Sequence, residues 1–369
     1  FFKKQNKNML MFRIPQIYFC LLLTDLVSLR MVSRLFLHEV EVFLEKGYRI
    51  FDIGRELEPF RRNHTRKARF VIQFVVSHCT KLRALILNVD FSIRMDYLMN
   101  LASVSDRLLK FHIILNKTNW LLNYSCLEWS TINLANLGSL SVCLETTWVH
   151  LHNWLDIVVA CGHNLYHVNI ELYYVGRRDI MQQSIQRFIE GMFRKKALAS
   201  FGLRMPRCLW PDLCTLRNQA PPLHCLHLGD NSARRIVRFL EAPRLASNVV
   251  YLMLSFLDFK PHVANLFLQL SYPVLKTLIF SMCDGLDVIL HGLAFTLENT
   301  GDVSFPKLQK LHIEQEDGEL KEELQRKCNQ INIARNNVLC SVCCCNEITW
   351  YFEDENPVIE KNNIANFFT

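Results

Sequence analysis

Glycine and proline are scarce in this 369-residue chain, which contains 12 and 11 of them respectively. That composition excludes a collagen-like polymer and a flexible linker as the bulk of the chain. A strong charge of one sign is also missing, since the net charge at pH 7 is only +7. A dedicated nucleic-acid-binding domain usually has a more basic surface, so we expect no nucleic-acid partner. Hydrophobic residues make up 50% of the chain, enough for one long or two ordinary domains.

Long hydrophobic runs are missing near the N-terminus. The apolar stretch 17–23 follows basic residues, as in a signal peptide, but is far shorter than the roughly 20 residues of a membrane-spanning helix. Arg13 and Pro15 interrupt the apolar residues before it. We therefore expect a cytoplasmic or nuclear protein without a membrane partner. Three glycosylation sequons leave secretion as the alternative, and they lie at Asn63, Asn116 and Asn123.

Catalytic motifs are missing too. The sequence contains no G-x-S-x-G, Walker A, HExxH or dinucleotide fingerprint. No spacing of Asp and Glu defines an acid and a base. We expect a protein that is not an enzyme and that has no catalytic residue and no cofactor.

The 14 cysteines show no pairing pattern. Most lie inside apolar periods, where cysteine acts as a small buried hydrophobe, so we expect reduced thiols. The segment CSVCCC, residues 340–345, holds one CxxC. A zinc site needs about four ligands, and no second CxxC or histidine pair accompanies it. We therefore expect no metal and interpret 329–369 as a cysteine-rich C-terminal tail, in which palmitoylation stays open.

A repeated hexamer is the main positive signal. Its pattern is Φ-x-x-Φ-x-Φ, where Φ is apolar, and nine copies start 25 to 33 residues apart. They begin at Leu82, Leu108, Leu137, Leu165, Leu198, Leu223, Val249, Leu275 and Leu308. Nearly even steps of this kind are typical of repeat architectures. Each hexamer predicts a short strand.

Segments with helical periodicity lie between the hexamers, at 146–164, 180–196, 231–242 and 284–299. Each unit is thus a strand followed by a helix, and stacked units would share one core. We predict an α/β solenoid with short parallel strands on its concave face and helices on its convex face. The pattern resembles the leucine-rich-repeat family over about 82–313, and Asn116, Asn231 and Cys283 fit that family's Asn/Cys position.

The strand pattern also predicts a binding face. Counted from the first Φ residue, period two sends the third and fifth positions toward the concave side, together with the seventh position, which directly follows the hexamer. Tyr251, Met253 and Ile279 form its most apolar patch on adjacent repeats, and His227 and Asn169 share the fifth-position column. We predict that these five residues contact a protein substrate. The alternative is a solvated face without a partner.

Three histidines share the fifth-position column, and histidine is a common metal ligand. His112, His227 and His312 belong to the second, sixth and ninth hexamers. Neighbouring strands lie about 4.8 Å apart, so these rings are too distant from one another to share a metal.

An amphipathic segment precedes the repeats. It contains Asp25-Leu26, Leu29-Arg30, Val32-Ser33-Arg34 and Phe36. This order resembles the C-terminal two-thirds of an F-box, D-L then L-R-x-V-S-[RK]-x-[FW]. Ile14-Pro15 corresponds to that family's opening L-P, at a shorter spacing. The resemblance implies docking on a Skp-type adaptor and a cullin scaffold, through Pro15, Leu26, Leu29, Val32 and Phe36.

The predicted organisation has four parts. An F-box-like helical segment spans 12–45, a linker and N-terminal cap helix 46–81, leucine-rich repeats 82–328, and the cysteine-rich tail the rest. The basic run 61–69 is a solvated linker or a nuclear import signal. The expected function is that of a substrate-recognition subunit of a Skp–cullin–F-box ubiquitin ligase, with an unknown protein substrate. The alternative is a repeat scaffold for protein interactions without a ligase role, either secreted or membrane-anchored.

Overall fold

The fold is taken from a computed structural model. It describes residues 42, 50–52, 71, 73–75, 77–79, 81–89, 110–115, 136–144, 151–173, 178–206, 209–210, 216–229, 232–299, 305–315, 318–334 and 338–343. The F-box-like segment lies outside these residues except for Val42. Its expected adaptor contacts lie outside them too, namely Pro15, Leu26, Leu29, Val32 and Phe36.

The described residues form an α/β structure built on one parallel sheet. Its eleven strands are β1 (Ile50–Asp52), β2 (Ala84–Val89), β3 (Lys110–Leu115), β4 (Ser139–Leu144), β5 (His167–Leu172), β6 (Ser200–Arg204), β7 (Cys225–Gly229), β8 (Tyr251–Ser255), β9 (Thr277–Ser281), β10 (Lys310–Glu314) and β11 (Leu339–Cys343). Each strand pairs with the next strand in the sequence, and the order does not reverse among the described strands. The sheet therefore grows by addition of one unit at a time.

The nine predicted strands are confirmed as β2 to β10. Each begins two residues after the first apolar residue of its hexamer. The register is also in step, because Asn169 lies opposite Gly202, Gly202 opposite His227, and His227 opposite Met253. Equivalent positions thus form columns across the sheet. Strands β1 and β11 were not predicted, and they extend the sheet beyond 82–328 at both ends.

Helices occupy the connections between the later strands. Those with described bounds are α1 (Leu151–Cys161), α2 (Arg178–Phe193), α3 (Ala233–Leu240), α4 (Pro243–Asn248), α5 (Pro261–Leu268), α6 (Leu286–Asn299) and α7 (Gly318–Ala334). Each of the four predicted helical segments overlaps one of them, namely α1, α2, α3 and α6, although α2 begins two residues before its predicted segment. Neighbouring helices pack together, as α1 does on α2 and α6 on both α5 and α7.

The main core lies between the helices and one face of the sheet. Apolar residues of the hexamers, such as Leu252 and Leu254 of β8, are fully buried in it. Phe267 of α5 has its ring centroid 5.6 to 5.9 Å from three other rings, those of Phe259, Phe280 and Phe305. Truncation of such a buried ring typically costs about 3–5 kcal/mol. This shared core holds successive units side by side.

Two successive units end their strands in the same unusual turn. Phe256 and Met282 hold equivalent places after β8 and β9, and their φ angles are 54° and 50°. The backbone N–H of Phe256 donates to the carbonyl of Ser281 on the next strand, at 2.9 Å. Left-handed φ is costly for residues other than glycine, so contacts between units fix this conformation. The Cys283 thiol, at the predicted Asn/Cys position, donates to the carbonyl of Leu254 at 3.3 Å.

Candidate functional site

The second face of the sheet points away from the helices and carries the third, fifth and seventh hexamer positions. In the fifth-position column six side chains are at most 8% exposed, those of Ser141, Asn169, His227, Met253, Ile279 and His312. The expectation of an open, solvent-facing surface is therefore wrong at these positions. Adjacent parallel strands are about 4.8 Å apart, and in-register columns let their side chains cover one another.

The predicted apolar patch exists but is buried. Tyr251, Met253 and Ile279 form a hydrophobic cluster separate from the main core, with Cys225 packed against it. The exposed fractions of the three side chains are 6%, 6% and 0%. His227 and Asn169, the other two predicted contacts, are also buried. The five residues therefore share one face, where they support its structure, and present almost no surface to a partner.

A polar cluster occupies the same face at the carboxyl ends of β5 and β6. Arg204 Nη1 donates to the Tyr173 hydroxyl at 2.6 Å and lies 3.6 Å from Glu171 Oε2. The Tyr173 hydroxyl donates to the same carboxylate oxygen at 3.4 Å, and Asn169 Nδ2 donates to Glu171 Oε1 at 3.5 Å. The Arg204 and Glu171 side chains are 6% and 2% exposed. Burial without a partner would be costly for either charge, so the pair is interdependent.

An exposed aromatic ring covers this cluster. The guanidinium carbon of Arg204 lies 3.6 Å from the centroid of the Phe256 ring and 4.4 Å from that of Tyr173. Phe256 is 38% exposed, although Arg204 beneath it is buried. We call Glu171, Tyr173, Arg204 and Phe256 the arginine–aromatic cluster. It offers a partner a rigid exposed ring that rests on a buried charge.

Histidine–serine hydrogen bonds link neighbouring strands across the same face. His167 Nδ1 lies 2.8 Å from Ser200 Oγ, and His227 Nε2 lies 2.9 Å from Ser255 Oγ. Burial lowers the pKa of His227 to about 3, and the charge of Arg204 contributes. His227 is therefore neutral at pH 7. Because both His227 and Ser255 are buried, a substrate cannot reach this hydroxyl in the described conformation.

A second polar group lies farther along the sheet, between β10 and β11. His312 Nδ1 is hydrogen-bonded to Ser341 Oγ at 2.6 Å, and its Nε2 lies 3.6 Å from Glu314 Oε1. The predicted column of His112, His227 and His312 is confirmed, with the three on β3, β7 and β10. Within the described residues, no three His, Cys, Asp or Glu side chains are grouped so that they could hold a metal ion.

Sequence reasoning missed the arginine–aromatic cluster. One signal was available, because Glu171 and Arg204 have opposite charges and hold the seventh position of consecutive hexamers. Phe256 gave no signal, because its exposure depends on the left-handed turn after β8.

Comparison with known proteins assigns no family, since neither a protein-family model nor a curated protein matches this chain. As for membranes, none of the helices in the described ranges has the length and apolar character needed to cross a bilayer.

Proposed function

We propose that this chain is a substrate-recognition subunit of a Skp–cullin–F-box ubiquitin ligase, in which a leucine-rich-repeat solenoid follows an F-box. The proposal rests on one combination: the F-box-like order of residues in 25–36 precedes a parallel sheet built from sequential, in-register units. Two observations support the repeat interpretation. The turns at Phe256 and Met282 are equivalent, and the Cys283 thiol donates a hydrogen bond to the carbonyl of Leu254.

In this proposal the protein performs no bond chemistry. The apolar residues of the F-box-like segment would pack against a helical adaptor, with a few large side chains as anchors. The repeats would hold a protein substrate near a ubiquitin-charged enzyme. The gain in ubiquitination then comes from effective concentration and orientation.

The substrate contact belongs at the arginine–aromatic cluster in this proposal. Phe256 is the exposed ring there, and Tyr173 is half-buried beside it. The buried residues predicted from the sequence, Tyr251, Met253 and Ile279, would support the face behind the contact. Aromatic residues are frequent anchors of protein interfaces, which favours this edge of the sheet.

The cysteines support a reducing compartment, cytoplasmic or nuclear. Within the described residues, Cys225, Cys283 and Cys328 form no disulfide. Proteins that fold in an oxidising compartment more often pair such residues.

Co-expression with a Skp-type adaptor tests the proposal. We expect the full chain and the adaptor to co-purify, and Leu29→Asp to abolish the association. Met31→Asp is the matched control. Residues two positions apart on a helix point in directions about 200° apart, so Met31 would face away from the adaptor if Leu29 faces it. Loss in both variants, or no association at all, would contradict the ligase proposal. Glycan at Asn63, Asn116 or Asn123 in the natural protein would favour the secreted scaffold instead.

A further inference from the structure

Arginines gather on the helical side of the units around β7 and β8. They are Arg217, Arg234, Arg235, Arg238 and Arg244. Between residues 197 and 259 the sequence has no lysine at all. Arginine binds carboxylates and phosphates with a planar fork of donors, whereas lysine acts as a point charge. The choice of arginine alone therefore favours recognition of an oxyanion.

Two of these arginines, Arg217 and Arg238, line a shallow cleft. Its volume is about 510 Å³, and it is lined by Arg217, Asn218, Arg238, Glu241 and Pro243. Arg217 is held in place from two sides, since Nη1 donates to Glu241 Oε2 at 3.1 Å and Nη2 donates to the Glu241 carbonyl at 2.9 Å. The carboxylate in the cleft is thus already paired, and Arg238 leaves the cleft with a net positive charge.

The other four arginines have no ion-pair partner among the described residues. In the part of the chain that the structure describes, no acidic side chain pairs with Arg234, Arg235, Arg238 or Arg244. Arg234 and Arg238 are one helical turn apart on α3, where like charges repel. Arg234 and Arg235 also lie in the first turn of α3, which has no acidic residue and already carries the positive end of the helix dipole. A bound anion would relieve both kinds of repulsion.

We infer that this arginine surface binds a phosphoserine- or phosphothreonine-bearing segment of a partner protein. A phosphomonoester carries nearly two negative charges and three acceptor oxygens, which matches several unpaired guanidinium groups better than one carboxylate does. The inference depends on the arginines and the cleft alone. It does not require that the chain docks on an adaptor.

A nucleic acid fits this surface less well. Binding of single strands uses exposed aromatic rings on which bases stack. Among the described residues the exposed large hydrophobic side chains are those of Val42, Phe256 and Leu339, and none of them lines the cleft.

Binding of peptide pools to the full chain tests the inference. The probes are a degenerate peptide library with a fixed phosphoserine or phosphothreonine, the same library unphosphorylated, a mixed-sequence single-stranded RNA, and phosphatidylserine vesicles. The test variant is R234Q/R238Q. The matched control is R187Q/R194Q, which removes two exposed arginines from the α2 region, where Asp156 and Glu190 pair with them. Thermal unfolding of each variant checks the fold.

We expect the phosphorylated pool to bind about tenfold more tightly than the unphosphorylated one, as is reasonable for several charge-assisted hydrogen bonds. R234Q/R238Q should remove that preference and R187Q/R194Q should keep it. Arg238→Lys should weaken binding although the charge remains, because the fork is lost. Equal binding of both pools, equal loss in the control, or tighter arginine-dependent binding of RNA or vesicles would overturn the inference.

Discussion

The guanidinium carbon of Arg204 lies 4.4 Å from the centroid of the Tyr173 ring and 3.6 Å from that of the Phe256 ring. Arg204 ends β6, and Phe256 follows β8, so this contact joins units that are not adjacent in the sheet. Glu171 on β5 pairs with the same guanidinium. Arg204 thus connects three units on the face that the helices do not cover.

Replacement of Arg204 should be strongly destabilising. Arg204→Ala leaves the Glu171 carboxylate buried without its cation, and loss of one partner from a buried pair typically costs about 3–5 kcal/mol. The control is Arg187→Ala, which breaks an exposed pair with Asp156 and should cost about 1 kcal/mol or less. Urea unfolding of both variants measures the difference. Equal costs would mean that the Arg204 pair does not carry the stability that its burial implies.

Substitution of Gly202 by a larger residue is expected to destabilise the fold as long as Asn169 lies opposite it. A Cβ atom at position 202 would lie 1.9 Å from Asn169 Oδ1, on the neighbouring strand. Gly202→Ala should therefore lose about 1–3 kcal/mol of unfolding free energy, as overpacking does. The double variant Gly202→Ala/Asn169→Ala should recover much of that loss, with a coupling energy of about 1 kcal/mol or more. Additive effects of the two substitutions would contradict the close approach.

His227 should make stability depend on pH. Its folded-state pKa of about 3 lies below the ordinary value of 6.5, so the unfolded chain takes up this proton first as the pH falls. The stability contribution is thus present above pH 6.5 and is lost on acidification. His227→Gln should reduce the loss between pH 7 and pH 5 by about 2 kcal/mol.

Chemical unfolding at pH 7 and at pH 5 measures the loss of unfolding free energy between these two pH values. His224→Gln, which removes an exposed imidazole from the same unit, should behave as the wild type does. A wild-type slope in the His227 variant would show that this imidazole is not buried in solution.

Two cysteines should resist alkylation in the folded protein. Burial raises the pKa of Cys225 to about 11 and that of Cys283 to about 12. Because the thiolate is the nucleophile, both should react slowly with iodoacetamide at pH 8 and quickly in urea. Peptide mass spectrometry reads out each site. Rapid alkylation of Cys283 in the folded protein would contradict the hydrogen bond from its thiol to the carbonyl of Leu254.

The strands were predictable because their signal is local and repeated. An apolar residue at each Φ position is needed to reach the core, as at Leu252 and Leu254. Strand β11 was not predicted because polar Asn337 holds the first Φ position of its hexamer, although Cys340 and Val342 hold the other two. Strand β1 has the right spacing at Tyr48, Phe51 and Ile53, so a search that admits tyrosine would have found it.

The surface of the second face was not predictable from the same pattern. Periodicity tells which way Met253 and Ile279 point, but their exposure depends on how closely neighbouring columns pack. The exposed position of Phe256 depends on a left-handed φ that contacts with β9 impose. Both properties arise between units, so a single unit's sequence does not reveal them.

The most direct test of the ligase proposal is the dissociation constant between the full chain and a purified Skp-type adaptor, measured by calorimetric titration. The proposal predicts a 1:1 complex with a dissociation constant of about 1 μM or tighter, as suits a specific docking interface. Leu29→Asp should weaken it by about a hundredfold, the effect of losing a buried anchor. No detectable heat of binding, or equal affinity in Leu29→Asp, would contradict the proposal.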